Sequence, residues 1–241
     1  MTGALATARR VLWQLRHDPR SVVMLLLLPA ILLLLFRYVF DRQPEVFARI
    51  GPQMLALFPF ILMFLITSVT MVRERTSGTL ERLLTTPLRR GELIGGYALA
   101  FSLVALVQSA VSLAVGQWAL DLGLDRPWEA LVFAILGSVV GTALGLLASA
   151  FARTEFQAVQ FMPLVIIPQI LVCGMIVPVD RMPDALRWLS AVMPLTYATD
   201  AFTSLADGET SGERVTDLLV LLAFAIGSIA LASLTLRRRT P

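Results

Sequence analysis

"RERTSGTLERLLTTPLRRGE", residues 73–92, holds five arginines and three glutamates, yet Ile50–Val72 before it and Leu93–Leu120 after it contain no charged residue. A polar cassette between two long oily runs is the pattern of a loop joining two membrane spans. The rest of the chain repeats the theme. Further charge-free windows fall at Ser21–Phe36, Ala130–Ala152, Phe156–Val179 and Leu218–Leu236. A helix needs about 20 apolar residues to cross a bilayer core of roughly 30 Å. The first window reaches that length by extending past Arg37 to Phe40, with the arginine reaching back to the interface. Six spans are therefore expected in an all-α membrane protein, with residues 1–241 forming one transmembrane domain.

Composition agrees. The chain is 57% hydrophobic and only 15% charged, whereas soluble domains are about a quarter charged. All 20 basic residues are arginine. Without lysine, the chain cannot build the phosphate-binding loop of nucleotide hydrolases. Any ATP hydrolysis belongs to another chain, and no cofactor is expected on this one. His17 is the one histidine and Cys173 the one cysteine, so neither a metal cluster nor an intrachain disulfide is expected. No acid lies at mid-membrane depth, where ion-coupled carriers usually keep one.

Six spans put both termini on one side. The segments on that side, 1–20, 73–92, 153–155 and 237–241, carry 13 arginines, and the opposite segments carry seven. The positive-inside rule places the arginine-rich side and both termini in the cytoplasm. Residues 3–16 read as an amphipathic helix, with Leu5, Ala8, Leu12 and Leu15 on one face, lying along the inner leaflet. Asp18-Pro19 is a helix start, an N-cap acid followed by proline. Gly137, Gly141 and Gly145 stand four apart, which lets two helices approach closely, inside the bundle or across a homodimer seam. The window 156–179 contains Pro163, Pro168 and Pro178, and Gln157, Gln160 and Gln169. Gln160 and Gln169 are candidates for lining a pathway, or for bonding a neighbouring helix. In 180–217 the run Trp188–Thr199 is too short to span and reads as a re-entrant or interfacial helical segment.

Within the opening cassette, Gly78 can cap a short helix with Glu81 at its third position. Leu80, Leu83 and Leu84 form one apolar face, Glu81, Arg82 and Thr85 the other, and Pro87 ends the helix. Such a rod either rests on the inner leaflet or docks into another protein.

"RERTSGTLERLLTTPLRRGELIGG" (73–96) resembles the cytoplasmic loop of the type 2 ABC transporter permeases, the membrane subunits of bacterial export pumps such as the daunorubicin-resistance exporters. "LRHDPRSVVMLLLLP" (15–29) and "CGMIVPVDRMPDALRWLSAVMPLTYATDAF" (173–202) resemble the same family's first span and outer segment. The resemblance implies a half-transporter in the bacterial inner membrane, exporting a hydrophobic or amphipathic compound (drug, lipid or glycolipid). It implies pairing with a second permease, identical or not, and with ATP-binding subunits that carry ATP and magnesium. Membrane lipid is the surrounding partner, and no nucleic acid is expected. The residues it assigns to subunit coupling are Glu74, Gly78, Thr79, Glu81, Arg82 and Leu83, and it implies that the second and fifth spans line the pathway. An intramembrane lipid-modifying enzyme and a non-transporting scaffold are the alternatives. The first lacks an acid–base or metal set, and the second does not account for the proline-bearing fifth span.

Overall fold

Proline opens four of the helices, at Pro19, Pro44, Pro127 and Pro194. Its missing N–H costs nothing in the first turn, where no intrahelical acceptor exists. The structure, a computed structural model, describes residues 2–79, 90–208 and 212–235. The helices are α1 (Thr2–Arg16), α2 (Pro19–Val39), α3 (Pro44–Thr76), α4 (Arg90–Ala114), α5 (Pro127–Ser149), α6 (Glu155–Val172), α7 (Asp184–Ala191), α8 (Pro194–Ala206) and α9 (Gly212–Thr235). Among the described residues, regular structure is helical throughout. Six of these helices, α2 to α6 and α9, are long and apolar enough to cross a membrane.

The centre of the bundle is the pair α3 and α5, and the glycine stripe is the reason. A Cβ on Gly141 would collide with the carbonyl oxygen of Phe60, and one on Gly145 would stand 2.5 Å from that of Phe64. Without side chains there, the α5 backbone lies directly against α3 and the flanking side chains interlock. Gly137, the third member, faces Ala198 of α8 with ordinary room. The stripe thus serves packing within one chain. Helices α2, α6 and α9 surround this pair and leave much of their apolar surface exposed. Three exposed tryptophans, Trp118, Trp128 and Trp188, lie toward the arginine-poor side, and Trp13 lies toward the arginine-rich side. This is the distribution expected of interfacial aromatic belts.

Several expected boundaries shift. Helix α3 has 33 residues, roughly 50 Å at 1.5 Å per residue, so it outruns the bilayer and carries residues 73–76 beyond its window. The fifth span was expected over 156–179 but ends at Val172. Gly174 takes φ +92°, and the hydroxyl of Thr199 donates to the freed Cys173 carbonyl at 2.8 Å. Pro178 therefore lies outside the helix. Pro194 starts a helix as well as ending one: α7 is short and exposed, whereas α8 is buried through Leu195, Ala198, Ala201, Phe202 and Leu205. On α3, Gln53 anchors α8 by donating to Thr203 Oγ1 at 2.7 Å.

The N-terminal helix also departs from expectation. Its buried stripe runs through Thr7, Ala8 and Val11, while Leu5 is exposed. It packs against α4 at Gly96, where a Cβ would come within 2.5 Å of Thr7 Cβ and 2.7 Å of the Ala4 carbonyl oxygen. The helix is therefore docked on the bundle along one face and open to its surroundings along another.

Candidate functional site

Successive residues of an α-helix point about 100° apart. At the arginine-rich end of α3 that geometry sends three consecutive charged side chains to three different parts of the molecule. Arg73 reaches Glu155, the first residue of α6, through two parallel bonds of 2.9 Å, Nε to Oε1 and Nη2 to Oε2. Glu74 turns toward α1 and accepts from Arg10 Nη1 at 3.3 Å and Nη2 at 3.4 Å. Arg75 donates to the carbonyl oxygens of Ser149 and, at 3.3 Å, Ala152. These carbonyls close the C-terminal end of α5, which carries partial negative charge and favours a cation.

The three links differ in strength. The Arg73–Glu155 fork is exposed on both sides and contributes about 0–1 kcal/mol, although its geometry fixes orientation. Its proximity raises the Arg73 affinity for a proton and lowers that of Glu155, the direct hydrogen bond being the largest cause. Glu74 is only 8% exposed. A carboxylate so enclosed needs a charged partner, and Arg10 supplies it. Arg10 also donates to the hydroxyl of Tyr97 on α4, and its guanidinium lies 5.7 Å from that ring's centroid. Tyr97 is fully buried and would otherwise hold an unpaired hydroxyl in the bundle. One arginine thus joins α1, α3 and α4.

Just past the cluster the chain turns. Ser77 N donates to the Arg73 carbonyl at 2.9 Å and Gly78 N to that of Arg75 at 3.3 Å. Gly78 takes φ +73°, the left-handed conformation that ends helices and that glycine adopts without steric cost. Thr79 follows as a helical residue, its hydroxyl 3.0 Å from that of Ser77. Gly78 therefore closes α3 and stands immediately before the next helical residue. Glu81, Arg82 and Leu83 lie outside the described residues.

The glutamines of the fifth span separate into three roles. Gln157 helps start α6: its N–H donates to Thr154 Oγ1 at 3.2 Å, and its side-chain oxygen accepts from Arg153 N at 2.7 Å. Gln169, 2% exposed, donates to the Val165 carbonyl at 3.0 Å and accepts from Leu195 N at 3.3 Å. It therefore supplies the acceptor that the first turn of α8 lacks. Gln160 is exposed.

At the opposite face a second ionic cluster ties α5 to α8 and α9. Arg214, 3% exposed, lies 3.2 Å from Glu129 Oε2 and donates to the Ser204 carbonyl at 3.4 Å. Arg126 donates to Glu129 at 3.1 Å.

Sequence reasoning singled out Glu74 but not its partners. One signal was available for Tyr97, a phenol inside a charge-free run, because a buried tyrosine hydroxyl seeks a partner. Nothing local in the sequence linked Arg10 to Glu74. Among the described residues no group of three or more potential metal ligands exists.

The chain is similar to known proteins. The family described as "ABC-2 type transporter" matches residues 3–206. The chain is 32% identical over 152 residues to the "Probable multidrug ABC transporter permease YbhR" of Escherichia coli (strain K12), covering 62% of this chain and 41% of that protein. It is 30% identical over 172 residues to the "Linearmycin resistance permease protein LnrN" of Bacillus subtilis (strain 168), covering 70% and 44%. It is 31% identical over 198 residues to "ABC transporter G family member 20" of Dictyostelium discoideum, covering 79% and 27%. The chain thus spans less than half the length of these relatives.

Proposed function

The chain belongs to the ABC-2 type transporter family, and from that premise we propose that it is the membrane-spanning subunit of an ATP-driven exporter for a hydrophobic or amphipathic compound. ATP and magnesium are held by separate ATP-binding subunits on the cytoplasmic, arginine-rich side. Support comes from the names of two bacterial relatives, one a multidrug permease and one a linearmycin resistance permease. A second permease pairs with this one across the exposed apolar face of α2, which carries Met24, Ile31 and Leu35. Gln160, on the exposed side of α6, borders the path between them.

The observation that carries the reading is the divergence of Arg73, Glu74 and Arg75 from the foot of α3. An ATP-binding subunit that grips the segment beginning at Gly78 and Thr79, with Glu81, Arg82 and Leu83 following, pulls directly on this foot. The three side chains then pass the displacement to α6, to α1 with α4, and to α5. The nucleotide subunits thereby turn the cavity between the two permeases from inward- to outward-facing without touching the compound.

Reconstitution tests this. Proteoliposomes holding the chain together with its co-purifying subunits are loaded with a fluorescent amphipathic drug, and ATP-dependent movement is followed. Transport that requires both ATP and the added ATP-binding subunit is the expected result. Transport by the chain alone, or ATP hydrolysis by it alone, would overturn the proposal.

A further inference from the structure

Helix α6 packs along α3 but scarcely touches α5. Between the three lies a pocket of about 280 Å³. Its walls include Phe64 of α3, Leu147 and Ala148 of α5, Phe151 just beyond it, and Phe161 and Leu164 of α6. All of its lining residues are apolar. Water gains nothing there, because a buried water needs two to four polar partners. The mouth opens toward the surroundings of the bundle: Phe151 is 65% exposed and Leu164 67%. Within a bilayer those surroundings are hydrocarbon.

Depth and charge narrow the occupant. The pocket is formed by the last turns of α5 and the first turns of α6, so it lies in the leaflet on the arginine-rich side. Phe161 of the lining also packs against a small buried cluster of Val72, Ala152 and Ala158. Two residues past Phe151 comes Arg153, which is exposed and forms no ion pair among the described residues. Its backbone is fixed by the bond from its N–H to Gln157. A cation at headgroup depth beside a slot for hydrocarbon matches the two ends of an anionic phospholipid. We propose that this pocket binds an acyl chain of an anionic phospholipid whose phosphate is held by Arg153. The reading depends on the placement of the spans in a membrane rather than on the exported compound.

The experiment uses the full chain, purified in mild detergent with its associated subunits. It is incubated with phosphatidylglycerol carrying a photoreactive diazirine on one acyl chain, irradiated and mapped by peptide mass spectrometry. Labelling concentrated in 147–151 and 161–165 is the expected result. Labelling spread over α2 and α9, or absent because a protein partner covers the pocket, would overturn the proposal. Competition supplies the second arm. Unlabelled phosphatidylglycerol should compete better than phosphatidylcholine by about fivefold, the worth of one arginine toward an anionic lipid. Arg153→Gln, at an exposed position where no repacking is needed, should abolish that preference while leaving the labelled peptides unchanged. A preference that survives Arg153→Gln would remove the arginine from the site. Neither arm measures transport, so failure here leaves the exporter reading intact, and failure of transport leaves this site intact.

Discussion

Glu74 and Arg10 meet at 3.3 Å although 64 positions separate them in the chain. The pair joins the helix that precedes the bundle to the foot of its central helix, and Tyr97 of α4 receives a bond from the same guanidinium.

Arg10→Ala strands the Glu74 carboxylate, which is almost enclosed. The expected loss is about 1–3 kcal/mol, the cost of leaving a buried group unpartnered. Thermal unfolding in detergent measures it. Arg9→Ala, one position away on the exposed side of α1, should change stability by less than about 0.5 kcal/mol. Equal effects would mean that the pair contributes only surface charge.

Gly141→Val drives a branched side chain into the Phe60 carbonyl. Overpacking of this kind commonly costs about 1–3 kcal/mol. Gly137→Ala meets only Ala198 at 3.7 Å and should be tolerated. The two melting temperatures, read side by side, test whether the close approach of α3 and α5 organises the bundle.

Gln169→Leu leaves Leu195 N–H without its acceptor at the start of α8. A loss of about 1–3 kcal/mol is expected. Gln160→Leu, on an exposed face, should leave stability unchanged. If Gln160 borders the export path, the same substitution alters transport rate or compound preference. The reverse pattern, with Gln160 setting stability and Gln169 silent, would contradict the bonding seen around α8.

Leu83→Ala should weaken co-purification of an ATP-binding subunit by about 2–4 kcal/mol if the leucine fills a groove as a hot spot. Arg82→Ala should cost only about 0–1 kcal/mol if the arginine merely fixes orientation at the rim of that groove. Membrane insertion should be unaffected in both. If both variants associate like the unmodified chain, the segment rests on the lipid surface instead.

Topology can be read from single cysteines placed at Ser77 and Asp184 in a chain whose Cys173 has been replaced by alanine. An impermeant maleimide should label Asp184→Cys in intact cells and Ser77→Cys only after the membrane is opened. Labelling of both from one side would refute the six-span arrangement.

Charge-free windows located every span, because the bilayer imposes a length and a composition that leave a local mark. Ends were harder. Helix α3 continues through Arg73–Thr76 because arginine and glutamate favour a helix and their side chains find partners on other helices. The end of α6 depends on Thr199 capturing the Cys173 carbonyl, a contact 26 positions away that no local pattern displays. The docking of α1 shows the same limit. Its amphipathic period suits a membrane surface and a protein surface alike, and only Gly96, two turns into another helix, distinguishes them. At the candidate site, Glu74 stood out by its place next to the loop. The partners of Arg73 and Arg75 lie more than 70 residues further along the chain and left no trace beside them.

The fan of contacts at the foot of α3 is a matter of angular phase. Each residue added to a helix advances everything beyond it by about 100°. A single alanine inserted between Val72 and Arg73 would therefore keep every charge and aim each at the wrong neighbour. Inserting seven residues, nearly two full turns, would restore the bearings but carry the fan roughly 10 Å beyond its partners. The foot of α3 is consequently indexed in both rotation and height, and single-residue insertions or deletions there should be far more damaging than most substitutions.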